Sequence, residues 1–410
     1  MTAMLTAAHE ECRSAGIAGL APRAGRLGVT RLVLPDFRNY RSARVDLDPE
    51  TAPGPVVLTG PNGAGKTNLL EAMSFLSPGR GLRNARLSDI DRRDAGATGS
   101  GEASAAGWAV AATVATRRGP VAIGTGRIGA EGERRTVRID GEPAKSQAAL
   151  GERLGVLWLT PQMDRLFIEG PNGRRRLLDR LVLGLDPAHA ARVARYEQAL
   201  RERSRLLRDG SDDPAWFGAL EEIMAAEGVA VAAARRDAVE RLDRVCAAAQ
   251  GGFPRARLSL IGTLEAWLDT MPALAAEERF RTALAARRAT EALSGGAGIG
   301  PHRSDLGVFH AEKGIAAEAA SSGEQKALLI AIVLAQAQLQ RAERGEPPLL
   351  LLDEVAAHLD AARRAALFEA LAGLESQAWI TGTDAALFAP LRGVARFLTV
   401  SDGALSPTIF

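Results

Sequence analysis

The sequence predicts an α/β fold in which a parallel sheet is accompanied by an antiparallel β subdomain and an inserted α-helical domain. Two stretches predict the parallel sheet: VVLTGPNGAGKTNLLEAM at 56–73, and PPLLLLDE at 347–354, where an apolar run ends in two carboxylates. A third observation predicts the helices, because apolar residues recur every three or four positions between Asn172 and about Leu293.

The first stretch has the spacing of a phosphate-binding loop. Its residues fit G-x-x-x-x-G-K-[ST], after a predicted strand at Val56–Leu58 and before a predicted helix at Lys66–Leu76. Glycines let successive N–H groups turn toward phosphate oxygens, the lysine reaches the β and γ phosphates of ATP, and the threonine hydroxyl ligates Mg²⁺. The alternative, an ordinary glycine-rich turn, does not explain this strand and helix context. The predicted nucleotide-binding residues here are Gly60, Pro61, Asn62, Gly63, Ala64, Gly65, Lys66 and Thr67.

Composition limits the classes of protein. A chain of 410 residues predicts one large domain with an insertion, or two domains. The two cysteines, Cys12 and Cys246, are too few and too isolated for a disulfide framework, which is typical of a reducing compartment. We find no signal-peptide pattern and no apolar run long enough to span a bilayer, so we expect a cytoplasmic protein with no membrane association. The net charge of +2 does not by itself indicate a polyanionic partner.

The N-terminal part is predicted to hold the first segment of the α/β domain that contains the parallel sheet, which we call the head. Residues 1–28 lack a sustained period and are expected to form a flexible extension, so the head would begin at residue 29 and run to 171. Two strands around a turn precede the phosphate-binding loop, and an antiparallel meander follows it. Between them lies a loop rich in Gly and Arg. Its Arg80, Arg83 and Arg86 either face phosphates or belong to a solvated surface, and the sequence leaves both interpretations open.

Residues 172–294 are predicted to form the helical insertion. Their apolar repeat is too short and too interrupted for a long coiled-coil arm. This is also the most basic region, which indicates either a DNA contact or an ordinary solvated helix face. Its arginines include Arg174, Arg175, Arg176, Arg201, Arg203, Arg205 and Arg208.

Residues 295–410 are predicted to return to the head. The run Leu349–Leu352 is apolar throughout, as in a parallel strand covered on both faces, and Asp353 and Glu354 follow it. Two adjacent carboxylates at such a strand end are costly to hold without a cation or a catalytic task. The alternation of strand and helix after this run also favours a parallel sheet.

Four motifs, taken in order, resemble one family. They are GPNGAGKTNLLEA, GPHRSDL, SSGEQKALL and LLLLDEVAAHLD, and FRNY and PNGRRRLLD add to the match. Together they resemble the RecF family of DNA replication and repair proteins, which are ABC-type ATPases related to the SMC proteins. The resemblance covers the chain from Val29 to about Asp402 and implies an ABC-type P-loop ATPase head.

The resemblance implies a role for each motif. Asp353 is similar to the Walker B carboxylate that holds Mg²⁺, and Glu354 to the general base or orienter of the attacking water. Ser321 and Gly323 resemble the ABC signature, which binds the γ-phosphate of ATP held by a second subunit. Asp360 resembles the D-loop residue that crosses that interface, and its position equally suits a helix N-cap. We therefore expect ATP to close two copies head to tail.

Three places in the chain depart from the pattern or leave it undecided. Many ABC ATPases carry a switch histidine after the strand that matches AWIT, but Gly382 and Thr383 stand there, which agrees with slow turnover. Gln162 is the predicted Q-loop residue, and Asp164 competes with it. In GPHR, His302 and Arg303 either contact a polyanion or have a structural role linked to the nucleotide.

The sequence is compatible with three functions, of which one is favoured. The resemblance favours a weak ATPase, with ATP and Mg²⁺ as cofactors and Lys66 and Glu354 as catalytic residues, that binds duplex or gapped DNA without sequence specificity as an ATP-dependent homodimer. It would serve DNA repair, replication, recombination and the response to DNA damage, and would help to load recombinase with RecO-type and RecR-type mediators. The alternatives are an ATPase subunit of a membrane transporter, which the basic insertion fits poorly, and a small-molecule kinase with a chance helix cap at the signature.

Overall fold

A computed structural model of the chain describes residues 27–48, 54–92, 107–129, 134–211 and 213–408. Most of the predicted N-terminal extension, and the stretch rich in Gly, Ala and Ser that follows Ala95, lie outside the described residues. The chain divides into two compact units. The first comprises the described residues up to Met163, Gly251–Phe253 and the described residues from Gln336 on, and the second comprises 164–250 and 254–335.

The first unit begins with the strands around the phosphate-binding loop. In chain order its elements are β1 (Gly28–Phe37), β2 (Tyr40–Asp46), β3 (Val56–Thr59), α1 (Lys66–Ser74), β4 (Gly107–Thr116), β5 (Gly119–Ile128), β6 (Arg135–Ile139), β7 (Glu142–Pro143), α2 (Ala148–Arg153) and β8 (Val156–Leu159). Short 3₁₀ turns cover Leu87–Ile90 and Pro161–Arg165. The predicted strand pair and meander are confirmed, and the helix after the loop ends two residues earlier than predicted, since it stops at Ser74.

The second unit contains most of the helices. They are α3 (Pro171–Leu183), α4 (His189–Arg208), α5 (Pro214–Ala248), α6 (Thr263–Leu268), α7 (Ala273–Ala286) and α8 (Arg288–Ser294), with β9 (Ala256–Ile261) between α5 and α6. Next come β10 (Asp305–His310), β11 (Ile315–Ala316) and α9 (Ser322–Arg344), a helix that begins in the second unit and ends in the first. Tyr196, Phe217 and Phe280 are among the buried residues of the core of this unit.

The chain then returns to the first unit. Its last elements are β12 (Leu349–Leu352), α10 (Ala361–Leu374), β13 (Ala378–Gly382), β14 (Arg396–Ser401) and β15 (Ala404–Pro407). They complete a six-stranded sheet in the order β15-β14-β3-β13-β12-β8, parallel except for the β14–β15 pair. A second sheet of this unit, in the order β2-β1-β4-β5-β6-β7, is antiparallel throughout. Both predicted sheets are therefore present.

One strand that the sequence analysis treated as part of the helical insertion defines the border of the second unit. β9 pairs antiparallel with β10, so that Ala256 lies opposite His310 and Ile261 opposite Asp305. This pairing holds residues 254–335 together with the helices. The compact units therefore divide the chain at other residues than the predicted segments 29–171, 172–294 and 295–410.

A buried arginine fixes the end of α1, the helix that follows the phosphate-binding loop. Arg135 donates to the carbonyl oxygens of Ser77 at 3.1 Å, of Gly79 at 2.8 Å and of Phe75, and its guanidinium lies 5.0 Å from the Phe75 ring centroid. Burial lowers the pKa of Arg135 to about 9. The carbonyls after the helix are satisfied by this side chain of β6, as helix C-termini require.

Candidate nucleotide-binding site

The phosphate-binding loop of the first unit can be formed only by glycine at two positions. Gly60 has φ +148°, and a Cβ there would lie 2.2 Å from the carbonyl oxygen of Val400. Gly65 has φ +117°, and its Cβ would lie 2.6 Å from Nδ2 of Asn39. Both conformations are unfavourable for side chains, so the motif glycines are a steric requirement of the loop.

The β1–β2 turn braces the loop from outside the motif. The amide of Asn39 donates to the carbonyl oxygen of Ala64 at 3.1 Å, and the hydroxyl of Tyr40 donates to that of Gly65 at 3.0 Å. Tyr40 is fully buried, and burial raises its pKa. The carbonyls of Ala64 and Gly65 are thereby held by the β1–β2 turn, which suits a loop whose N–H groups bind a phosphate.

Lys66 lies at the start of α1 with its ammonium over the loop. Its Nζ donates to the carbonyl oxygens of Gly60 at 2.8 Å and Pro61 at 2.9 Å. Burial lowers the pKa of Lys66, and the charges of Glu354 and Asp353 oppose that shift. Phosphate oxygens are stronger acceptors than these carbonyls, so the ammonium of Lys66 can donate to a bound triphosphate instead.

Asp353 follows β12 and is held by two hydroxyl groups. Thr67 donates to its two carboxylate oxygens, each at 3.0 Å, and Thr381 donates to Oδ1 at 2.8 Å. Burial raises the pKa of Asp353, although the hydrogen bonds from Thr381 and Thr67 oppose that shift. A hydroxyl oxygen beside a buried carboxylate fits the oxygen ligands that Mg²⁺ prefers, so Thr67 and Asp353 would hold that ion.

Glu354 is half-buried and has a backbone conformation that is uncommon outside glycine. Its φ is 53° and its ψ is 21°, in the left-handed region. Its N–H donates to Oγ1 of Thr381 at 2.8 Å, which supports this conformation. Strained residues of this kind are concentrated at functional sites, and the role of Glu354 in hydrolysis stays a prediction.

Thr381 is a site residue that the sequence analysis missed. It is fully buried near the end of β13 and contacts both Asp353 and Glu354. A signal was present, because β12 and β13 were both predicted and parallel neighbours place Thr381 one residue past the Leu352–Ile380 pair. The next residue, Gly382, cannot carry the switch histidine, since its Cβ would lie 2.5 Å from a ring carbon of Phe388.

The arginines of the loop after α1 differ in their partners. Arg83 donates to Oδ1 of Asn68 at 2.7 Å and to Oε2 of Glu71 at 2.6 Å. Glu71 is fully buried on α1 and also pairs with Arg38 at 2.8 Å. Arg80 and Arg86 are exposed. Arg83 therefore belongs to an ion network next to the loop. Its charge also opposes the rise that burial causes in the pKa of Asp353.

The predicted signature residues lie at the start of α9, in the second unit. Ser321 and Gly323 are both exposed, so neither is covered within this chain. Behind them Lys326 is buried and its Nζ lies 3.2 Å from Oδ2 of Asp164. The carboxylate of Asp164 is thus occupied within its own unit.

Two further predicted residues lie in the first unit. Gln162 is exposed in the 3₁₀ turn after β8, the strand next to β12, and its Q-loop role stays a prediction. Asp360 accepts the N–H of Arg363 at 2.8 Å and is the N-cap of α10, as its alternative interpretation required. Its crossing of a dimer interface also stays a prediction.

The GPHR segment belongs to the interior of the second unit. Nδ1 of His302 lies 2.7 Å from the hydroxyl of Tyr196, and its Nε2 lies 2.9 Å from the carbonyl oxygen of Ala297. Burial lowers the pKa of His302. These contacts favour a structural role for the histidine, whereas Arg303 is exposed.

At least two arginines of the basic region, Arg203 and Arg235, are not on the surface. Arg203 is fully buried and pairs with Glu221 at 2.9 Å and with Glu291 at 2.6 Å. Arg174 is largely covered and pairs with Asp305 at 2.7 Å. Exposed arginines of this region include Arg176, Arg205 and Arg208.

Among the described residues, no helix is both long and apolar enough to cross a membrane.

Comparison with known proteins connects this geometry to a family. The model of the RecF/RecN/SMC N terminal domain matches residues 28–404. A DNA replication and repair protein RecF of Mesorhizobium japonicum is 51% identical over 385 residues, which are 93% of this chain and 98% of that protein. The RecF protein of Rhizobium meliloti is 48% identical over 92% of this chain and 98% of its own length.

Solved structures show the same fold. The structure of the recombination mediator protein RecF-ATPrS in the RecFOR pathway has a TM-score of 0.78 at 20% identity and covers 95% of this chain and 100% of that one. An Smc head domain of Pyrococcus furiosus, bound to the C-terminal domain of ScpA, has a TM-score of 0.50 at 17% identity, with 93% of this chain and 96% of that one covered. The matched family model and the close relatives together show that this chain belongs to the RecF family of DNA replication and repair proteins, within the RecF/RecN/SMC group of ATPases.

Proposed function

We propose that this protein is an ATP-dependent DNA-binding ATPase of recombinational repair and replication, whose ATP-bound form is a head-to-tail homodimer. In this dimer the phosphate-binding loop of one copy and the signature of the other hold the same ATP. Closure of the dimer clamps DNA, and slow hydrolysis releases it.

One observation carries the proposal. Lys66, Thr67, Asp353 and Glu354 belong to the first unit, whereas Ser321 and Gly323 belong to the second and are exposed. Because Ser321 is exposed at a helix N-terminus, the phosphate of another copy can reach it from solvent. A twofold pair would complete two such sites at once, and ligand binding only to the pair would drive its assembly.

The residues of the first unit supply the chemistry. Mg²⁺ held by Thr67 and Asp353 would neutralise charge on the β and γ phosphates. Lys66 exchanges the loop carbonyls for phosphate oxygens and adds a positive charge there. Glu354 accepts a proton from the attacking water or orients it, from a backbone conformation that the Thr381 hydrogen bond stabilises.

The DNA surface follows from charge rather than from a base-reading element. The exposed Arg176, Arg205 and Arg208 of the second unit offer phosphate contacts, which suit duplex or gapped DNA of any sequence. The RecFOR name of a structural relative supports RecO-type and RecR-type partners in recombinase loading, and with these partners we assign the protein to the cytoplasm.

Two substitutions test the ATPase assignment. Lys66→Ala should lose ATP binding and dimerisation together. Glu354→Gln should still bind ATP and stay dimeric, but hydrolyse it about 100-fold more slowly or worse, since that is the usual contribution of a general base. Glu369→Gln, an exposed position on α10, is the matched control and should hydrolyse ATP normally. Normal hydrolysis by Glu354→Gln would remove Glu354 from the reaction.

A further inference from the structure

The donors of the signature serine are already occupied in this chain. The N–H of Ser321 donates to Oε2 of Glu324 at 3.0 Å, and its hydroxyl donates to the same oxygen at 2.9 Å. The N–H of Glu324 in turn donates to Oγ of Ser321 at 3.4 Å. This reciprocal pair is a capping box, so a carboxylate lies against the two groups that the γ-phosphate of ATP would need.

A lysine neutralises that carboxylate. Nζ of Lys313, in the turn between β10 and β11, lies 2.5 Å from Oε1 of Glu324. Lys313 and the two donors of Ser321 lower the pKa of Glu324 to about 2, so the carboxylate is ionised at every physiological pH. Half of the Lys313 side chain is exposed, at 52%, and the two oxygens of Glu324 thus have separate partners.

Electrostatics gives this pair a consequence for ATP. A helix N-terminus favours an anion, but a bare carboxylate hydrogen-bonded to the signature serine would repel the triphosphate presented by a second copy. We propose that Lys313 is a positioning residue of the signature, whose ammonium neutralises Glu324 and so permits the partner copy's ATP to approach Ser321. This inference rests on the proposed function, because it requires the head-to-tail dimer.

The test is an ATP titration of the solution mass by light scattering. We compare wild type, Lys313→Met, Glu324→Gln and the double variant, with Lys145→Met as an exposed lysine control. Lys313→Met should need about fivefold more ATP for half-maximal dimerisation, because at this exposed position solvent screens the uncompensated charge of Glu324 to about its effect in water. Glu324→Gln, the double variant and the control should stay within about twofold of wild type.

A second measurement separates this role from a structural one. Binding of a fluorescent ATP analogue to dilute monomer should be unchanged in all variants, because the phosphate-binding loop belongs to the other unit. Wild-type dimerisation by Lys313→Met, or failure of Glu324→Gln to rescue it, would overturn the inference and leave the proposed function intact. A wild-type protein that stays monomeric at every ATP concentration would instead overturn both.

Discussion

Replacing Thr381 by valine tests how the Walker B end of the sheet is held. The two side chains have nearly the same shape, so Thr381→Val removes only the hydroxyl. That hydroxyl donates to Oδ1 of Asp353 at 2.8 Å and accepts the N–H of Glu354 at 2.8 Å. Because Thr381 is fully buried, water cannot replace it without displacing neighbours.

The expected magnitude follows from the two bonds. A hydrogen bond to a charged group contributes about 1.5–3 kcal/mol and a neutral one about 0.5–1.5 kcal/mol, so the loss is about 2–4.5 kcal/mol in the free energy of unfolding. Glu354 also loses the support of its left-handed backbone conformation, and we expect ATP turnover to fall at least about tenfold through the displaced carboxylates. Affinity for ATP should change less, since Lys66 and the loop are unaltered.

Urea unfolding and a steady-state phosphate-release assay measure these two effects. Thr59→Val is the matched control on the neighbouring strand β3, because its hydroxyl makes one long contact of 3.5 Å to the carbonyl oxygen of Leu398. It should cost less than about 1 kcal/mol. Wild-type stability and turnover in Thr381→Val would refute our account of this end of the sheet.

Three other substitutions follow from the described contacts. Burial lowers the pKa of His302 in the folded chain, so the unfolded state takes up the proton first. Stability should therefore fall as the pH drops through about 6.5, the ordinary pKa of histidine, toward the lower pKa of the folded state, and His302→Gln should flatten that dependence in urea unfolding. Arg203→Met should destabilise the second unit by about 3–5 kcal/mol in thermal unfolding, because Glu221 and Glu291 would lose their shared partner. Tyr40→Phe should weaken ATP binding several-fold in a fluorescent-analogue titration, because one brace of the loop is lost.

Each of these predictions has a contradicting outcome. The same pH dependence in His302→Gln as in wild type would assign it to another group. Unchanged thermal unfolding of Arg203→Met would mean that the buried charges are compensated without it. Wild-type affinity of Tyr40→Phe would show that the remaining contacts of the loop hold it unaided.

The parallel sheet and its two acidic residues were predictable because each carries a local signal. The phosphate-binding loop has a fixed spacing, and Leu349–Leu352 is apolar at every position because the strand is covered on both faces. Asp353 and Thr67 are 286 residues apart in the chain, yet parallel pairing of predicted strands was enough to bring them to the same edge.

The strand β9 was missed for a physical reason. Its buried Ala256 and Leu258 alternate with the exposed Arg257, which is a strand period, but only six residues carry it between much longer helical segments. When a region is interpreted as a whole, the apolar period of its long helices outweighs the period of a six-residue strand. For the same reason Arg203 was grouped with the charges of the basic region. Leu206 and Leu207, three and four positions later on α4, are buried with it and form one helix face.

Contacts that depend on tertiary placement could not be predicted. Nothing local indicates that Asn39 and Tyr40 brace the loop 25 residues later, or that Lys313 meets Glu324. Such pairs are set by how strands and turns pack, and a single sequence carries no period for them.

The central claim is that ATP closes two copies around a shared site, and the most direct test is the mass in solution of wild type and Ser321→Arg. Light scattering should be recorded with and without ATP and with a duplex carrying a single-stranded gap. We expect wild type to shift from monomer to dimer with ATP and to bind the DNA, and Ser321→Arg to stay monomeric while its phosphate-binding loop still takes up ATP. A mass that does not respond to ATP, together with undiminished hydrolysis by Ser321→Arg, would contradict the composite site.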